Sequence, residues 1–344
     1  METAARTAVA FGVGVVAGVA ALKLHRWRRT RAYARLRDPS LFAFYSSVSG
    51  RAPTTDLGEM TVPIDDHLVV RGHAVFDTVT LRKGRLYRLR PHLERLFASA
   101  SAARIPLPYG ADLATNLCEV EARIRETVAA SGKEDADVRY WLTAGPGNLG
   151  VTPDGCTPAL YVLVFGGLPS FEDPMERGLR EVSVPASVVA HKPAMLAEVK
   201  SSNYMLNALT AMAARDKGGC FGIGVRDDGT ITESAVLNVV LVGADGILRT
   251  PPFEGILRGT TVRRAMELAE ESLVGEGRLL KGVRQCKLTL ADAAAASELM
   301  LVAGDTHVMP VTMLDGKSIG SGQVGPVAKK IAKLLEMDAD RGDD

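Results

Sequence analysis

Lys200 follows the apolar Val199 in the stretch MLAEVKSSNYMLNAL, residues 195–209. A lysine in apolar company is costly unless it is paired, neutral or covalently used. Desolvated, it sheds its proton and becomes a nucleophile for a carbonyl carbon, giving a Schiff base. The plainer account is an ammonium that snorkels to solvent at a strand end. Glu233, in TITESAVLN, follows a hairpin strand. A carboxylate there can hold the ring nitrogen of an aromatic heterocycle protonated, or can simply face water. ILRGTTVRR puts Gly259, Thr260 and Thr261 at the start of a helix. Backbone N–H groups and the positive dipole end would seat a phosphate there, although a plain Thr N-cap explains the same letters. Arg95, in RPHLERL, offers the bidentate fork that phosphate favours, and Arg139 and Arg71 offer that fork to a substrate carboxylate. Each of the three also reads as a solvated surface arginine.

The elements that must position these residues follow from periodicity. AVFDTVTLRKGRLYRL gives two β-runs joined by a tight turn at Lys83–Gly84. Pro91 opens a helix, and a second helix runs from about Ala111 to Ser131 with Leu113, Leu117, Val120, Ile124 and Val128 on one face. DVRYWLTAG and ALYVLVFGG are strands. The Gly- and Pro-bearing residues 166–176 lack periodicity and are expected to connect two domains. Beyond them, two hairpins turn on Asp-Gly, and GTTVRRAMELAEE is an amphipathic helix with Val262, Ala265, Met266 and Ala269 inward. The expected class is α+β. A small domain spans 39–165, a larger one spans 177–338, and an acidic tail spans 339–344.

At 344 residues the chain has ample surface to bury in two cores. A net charge of +1 gives no case for nucleic acid as a partner. Cys118, Cys156, Cys220 and Cys286 are far apart, with no Cys/His spacing that suggests zinc. Residues 1–38 form an apolar and basic leader. Its uncharged run, Ala8 to Leu22, falls short of the roughly 20 residues that span a bilayer comfortably, and the basic cluster follows the run rather than preceding it. The expectation is a signal anchor that keeps the bulk of the chain facing the cytoplasm, or an organelle-targeting segment for plastid or mitochondrion; otherwise the protein is cytoplasmic. Membrane contact, if any, runs through residues 8–22.

As an ordered set, RPHLERL, EVKSSNYMLNAL, GTITESAVLNV and EGILRGTTVRRAMELAEE resemble the fold-type IV pyridoxal-phosphate enzymes, the class IV aminotransferases. VPIDDHLVVRGHAVFDT and VRYWLTAGPGNL are similar to the branch of plant-type D-amino-acid aminotransferases and aminodeoxychorismate lyases. The resemblance implies a small α/β sandwich domain, a larger β-barrel-like domain with helices, and a homodimer. It implies pyridoxal 5′-phosphate bound by Lys200 through its aldehyde, by Glu233 at the pyridine nitrogen, and by Arg95, Gly259, Thr260 and Thr261 at the phosphate. It also implies Tyr204 near the cofactor hydroxyl, although its spacing from the lysine is one residue short of the branched-chain pattern.

Departures from the family pattern bear on the substrate. Phe76 stands where bacterial D-amino-acid aminotransferases carry Tyr, and AGPGNL lacks the Arg and His with which they bind the substrate carboxylate. Arg139 lies where branched-chain enzymes carry an arginine and becomes the first carboxylate candidate. The expected activity is transfer of an amino group from a D-amino acid, such as D-alanine, to a 2-oxo acid. The alternatives are a lyase that gives 4-aminobenzoate and pyruvate from 4-amino-4-deoxychorismate, a branched-chain-type aminotransferase, and a membrane-tethered cofactor-binding scaffold without turnover.

Overall fold

The computed structural model describes residues 38, 40–166, 174–304 and 307–341. The expected leader, apart from Asp38, lies outside them, as does most of the expected connection. Among the described residues no helix is long and apolar enough to cross a membrane.

The N-terminal part is one antiparallel sheet with two helices on it. Its strands are β1 (Leu41–Ser46), β2 (Ala74–Arg82), β3 (Arg85–Leu86), β4 (Ala136–Thr143) and β5 (Ala159–Phe165), in the order β1-β5-β4-β2-β3. A short helix, α1 (His67–Arg71), precedes β2; α2 (Leu89–Ala102) and α3 (Leu113–Ser131) follow the hairpin. Lys83 and Gly84 both adopt positive φ, 50° and 77°, the geometry that lets a two-residue turn follow the twist of its strands. Alternate residues Val138, Tyr140 and Leu142 of β4 point into a core with Leu93, Leu96, Val120 and Ile124 of the helices.

Several boundaries differ from the sequence expectation. The strands begin not with the AVFDTVTL run but with β1, an edge strand whose apolar LFAFYS stands directly after the leader. Helix α2 begins at Leu89, so Pro91 is its third residue, still inside the first turn where no intrahelical N–H is needed. Asp112 caps α3 by accepting from Thr115 N at 2.7 Å, which moves the start to Leu113. Leu113 is 49 % exposed, because it lies in the open first turn and off the buried stripe.

The C-terminal part carries two sheets. The larger is ordered β12-β11-β10-β13-β14-β15, with β6 alongside β14; the smaller is β7-β8-β9. The strands are β6 (Leu179–Glu181), β7 (Ser183–Pro185), β8 (Ile223–Val225), β9 (Ile231–Ser234), β10 (Asn238–Val242), β11 (Ile247–Thr250), β12 (Gly282–Gln285), β13 (Glu298–Val302), β14 (Val308–Leu314) and β15 (Lys317–Ser318). β6 and β7 are separated only by Val182, and each pairs with a different sheet, so the chain stitches the two sheets at that corner. The helices are α4 (Pro174–Arg177), α5 (Ala194–Ala197), α6 (Met205–Arg215), α7 (Thr260–Leu273), α8 (Leu290–Ala294) and α9 (Pro326–Arg341). Both expected Asp-Gly hairpins form, β8–β9 and β10–β11, with Gly229 and Gly246 at positive φ. Val262, Ala265 and Ala269 of α7 are buried against Ile331 and Leu335 of α9, and Met266 is half-buried beside them.

The expected acidic tail at 339–344 is in part helix, because α9 runs on to Arg341. Its last turns clamp the two parts of the protein together. Asp338 accepts from Arg264 Nε and Nη2 at 2.9 and 2.6 Å and from the Tyr87 hydroxyl at 2.7 Å. Asp340 pairs with Lys83 Nζ and Arg82 Nε, each at 2.9 Å. The tail's charge thus matches the cationic hairpin rather than solvent.

Candidate active site

Lys200 is carried to the junction by a graft of backbone. Phe76 N donates to Lys200 O at 2.9 Å, and Ser202 N donates to Ala74 O at 2.9 Å, so residues 200–202 run along β2 as an extra strand. Ser99 Oγ accepts from Lys200 N at 3.2 Å. The ammonium nitrogen lies 4.9 Å from the Phe76 ring centroid and 5.9 Å from that of Tyr204. It reaches the Tyr204 hydroxyl at 3.4 Å. The two rings meet edge to face at 5.1 Å, forming an aromatic corner around the amine.

Glu233 projects from β9 into the cavity that Lys200 and Tyr204 also line. Its Oε2 accepts from Leu257 N at 3.1 Å. Burial pushes its carboxyl up to about 7, against the lowering effects of that hydrogen bond and of Lys192 and Lys200. A cation brought against that carboxyl favours its charged form, and a protonated pyridine nitrogen is such a cation.

Gly259 caps α7, and a side chain on it would run into the amide oxygen of Asn238. Thr260 and Thr261 open the helix and are buried. Thr260 Oγ1 meets His92 Nε2 at 3.2 Å. Behind it lies a buried network. Asp77 accepts from Arg95 Nε and Nη2 at 2.8 and 2.7 Å and meets His92 Nδ1 at 2.9 Å. Burial alone would raise the Asp77 carboxyl, but Arg95 and His92 outweigh it and hold it far below the usual carboxylate range. Burial lowers His92 in turn, favouring the neutral imidazole. The fork of Arg95, expected to be open for phosphate, is filled by Asp77, and its Nη1 donates to Arg258 O at 3.2 Å, just before the cap of α7. The guanidinium charge therefore stands at the expected phosphate seat, fixed by Asp77.

Arg139 lies behind Phe76. Its Nε donates to Thr78 Oγ1 at 3.0 Å, and its guanidinium is 5.4 Å from both the Phe76 and Phe165 rings. Arg71 is not brought to the cleft. Nε and Nη2 donate to the carbonyls of Gly150 and Leu149 at 2.9 and 2.5 Å, and Nη1 donates to Val70 O, so it ties a loop. Sequence reasoning missed Asp77, His92 and Lys192. His92 stands three residues before Arg95, one helical turn away, and that spacing was the available signal. Lys192 lines the same cavity as Lys200 and Glu233.

These residues fit pyridoxal phosphate. An amine and a near-neutral carboxyl share one cavity, and a helix N-terminus with an adjoining cation stands beside it. Residues 74–314 match the family model described as amino-transferase class IV. The chain is 40% identical over 302 residues to the chloroplastic D-amino-acid transaminase of Arabidopsis thaliana, covering 87% of this chain and 77% of that protein. It is 29% identical to a putative branched-chain-amino-acid aminotransferase of Methanocaldococcus jannaschii, covering 82% and 92%. Its fold matches the crystal structure of a hypothetical aminotransferase from Mycobacterium tuberculosis in its PLP-bound form at a TM-score of 0.70 and 22% identity, covering 86% and 98%. The match holds over both halves of the cleft, and the chain belongs to the class IV aminotransferases, pyridoxal-phosphate-dependent transaminases.

Proposed function

We propose that the protein moves the amino group of a D-amino acid, such as D-alanine, to a 2-oxo acid. The observation that carries this reading is the 40% identity to a D-amino-acid transaminase across 87% of the chain. The cofactor supplies an aldehyde for covalent capture of amines and a ring that accepts electron density from the substrate carbon. Lys200 would hold that aldehyde, and its free Nζ would take the proton from the substrate Cα. Tyr204 and Phe76 confine the amine to one corner. Glu233 holds the proton on the ring nitrogen, while the amides of Thr260 and Thr261, the room left by Gly259 and the charge of Arg95 bind the phosphate.

A homodimer is part of the proposal. Met205, Leu209 and Met212 form one stripe of α6 and are 76, 42 and 58 % exposed, with Val236 and Met195 also exposed. A surface of this kind supports a protein partner. Organelle targeting is proposed from the leader's composition and from the chloroplastic relative.

The test is a half-reaction screen. Purified holoenzyme receives D-alanine, L-alanine or L-leucine singly, and the absorbance of the cofactor is followed. Conversion by D-alanine alone supports the proposal. Conversion by L-leucine in preference would replace it with the branched-chain reading, and pyruvate released from 4-amino-4-deoxychorismate without an acceptor would establish the lyase.

A further inference from the structure

Among the described residues Lys192 is a cation of the cleft that no ion pair or hydrogen bond holds, although Glu233 acts on it through space. Lys192 Nζ lies 4.7 Å from the Tyr204 ring centroid, on the ring that also borders Lys200. It lines the cavity with Lys200, Glu233 and Asn207. Among the described residues its ammonium makes no hydrogen bond or ion pair; its contact is the face of that ring. Burial lowers its pKa, Glu233 opposes this and Lys200 adds to it. The segment that carries it is fixed. Pro193 caps the turn α5, and Glu198 Oε1, at the end of that turn, accepts from Gly255 N at 2.9 Å. A partly desolvated ammonium with no anion in hydrogen-bond contact costs free energy, and an arriving anion offsets that cost.

The chemistry of the reaction restricts which anion arrives. The proposed phosphate seat has its own cation, Arg95, and sits where Thr260 touches His92. Lys192 instead lies against the Tyr204 ring and makes none of those contacts. The loop Ala144–Leu149 contains no cationic side chain. Arg139 is clamped between Phe76 and Phe165 and lines neither of the cavities that Lys192 borders. An α-amino-acid donor carries a carboxylate on the carbon that bears its amine, and a 2-oxo acid carries one on its carbonyl carbon. We propose that Lys192 binds this α-carboxylate at the Tyr204 wall of the cleft and so selects amino acids over simple amines. This rests on the transaminase reading and not on the D configuration.

The test compares D-alanine with ethylamine, the same amine without its carboxylate, in single turnovers of holoenzyme. Lys192→Met lowers kcat/KM for D-alanine about 10- to 100-fold more than it lowers that for ethylamine, mainly through KM, as expected for loss of one charge-assisted hydrogen bond. Lys192→Arg restores most of the loss. Propionate binding, read as a spectral titration without turnover, weakens by the same factor. Lys192→Gln gives the propionate reading should the Met variant fail to take up cofactor. Equal losses for D-alanine and ethylamine, unchanged propionate binding, or a carboxylate-selective loss in Arg139→Met instead would each overturn the assignment. If wild-type enzyme prefers another amino acid, the D-amino-acid reading fails, and that amino acid paired with its own decarboxylated amine still decides Lys192.

Discussion

Replacing Glu233 by Gln tests the electrostatic design of the cleft most directly. Burial raises its carboxyl from an ordinary 4.5 to about 7. Between those values the folded, cofactor-stripped protein keeps a proton that the unfolded chain has released. Folding stability therefore falls as pH rises through this window, at about 1.4 kcal/mol per pH unit. Below 4.5 both states are protonated and the carboxyl contributes no pH dependence. Above 7 the loss is complete and amounts to about 3 kcal/mol. Lys192, Lys200 and the Leu257 amide already reduce it, since all three favour the carboxylate. Gln has no proton to lose, so Glu233→Gln removes this component. The assay is urea unfolding of stripped wild type and variant at pH 5 and pH 8. Glu181 is also raised by burial, but it is common to both proteins and cancels in the difference. Wild type should lose about 3 kcal/mol more than the variant between the two pH values. With cofactor bound, the ring-nitrogen proton supplies the missing positive charge and the excess loss shrinks. Equal losses in the two stripped proteins would show that the carboxyl titrates as if in water, and the role of Glu233 at the ring nitrogen would lose its physical basis.

Lys200→Ala should abolish turnover, and borohydride reduction followed by peptide mapping should label Lys200 in wild type only; a label elsewhere removes Lys200 from the chemistry. Asp77→Asn strands the buried Arg95 charge and should cost about 3–5 kcal/mol in urea unfolding, with weaker cofactor retention; wild-type stability would mean that Arg95 finds another partner. Asp338→Ala deletes the acceptor of Arg264 and Tyr87 and should cost about 2 kcal/mol at pH 7. The Arg264 hydrogen bond holds the Asp338 carboxyl below its ordinary value of 3.8, so this deficit should fade as pH falls through that depressed value; a deficit that persists in acid would point to packing instead.

The order of the site along the chain was legible because each part has a local signature. Glu233 follows an Asp-Gly hairpin, Gly259 to Thr261 open a periodic helix, and Lys200 interrupts an apolar run. What escaped was set by distant neighbours. Asp77 is one of 40 acidic residues, and only the packing of β2 under α2 shows that it is buried against Arg95 and His92. Arg71 has the side chain for a carboxylate clamp, yet its donors are taken by carbonyls 78 and 79 residues away. Lys192 sits in a non-periodic segment, and nothing local distinguishes it from a surface lysine. The strand at Leu41–Ser46 and the paired Asp340 were hidden in the same way, since an edge strand and an acidic helix end take their roles from partners remote in sequence.

The clamp between α9 and the β2–β3 hairpin has a consequence for how the enzyme comes into being. Tyr87 and Asp338 are 251 residues apart, and Lys83 and Asp340 are 257 apart. On a ribosome, the hairpin emerges first and waits for the 251 residues that separate Tyr87 from Asp338 before its anionic counterpart exists. Until then Lys200 and Phe76 can meet, but the wall that seats the phosphate is not fastened to them. Cofactor capture should thus trail the folding of either part alone, and backbone amides near the hairpin should be among the first to exchange with deuterated solvent when the mature protein loosens.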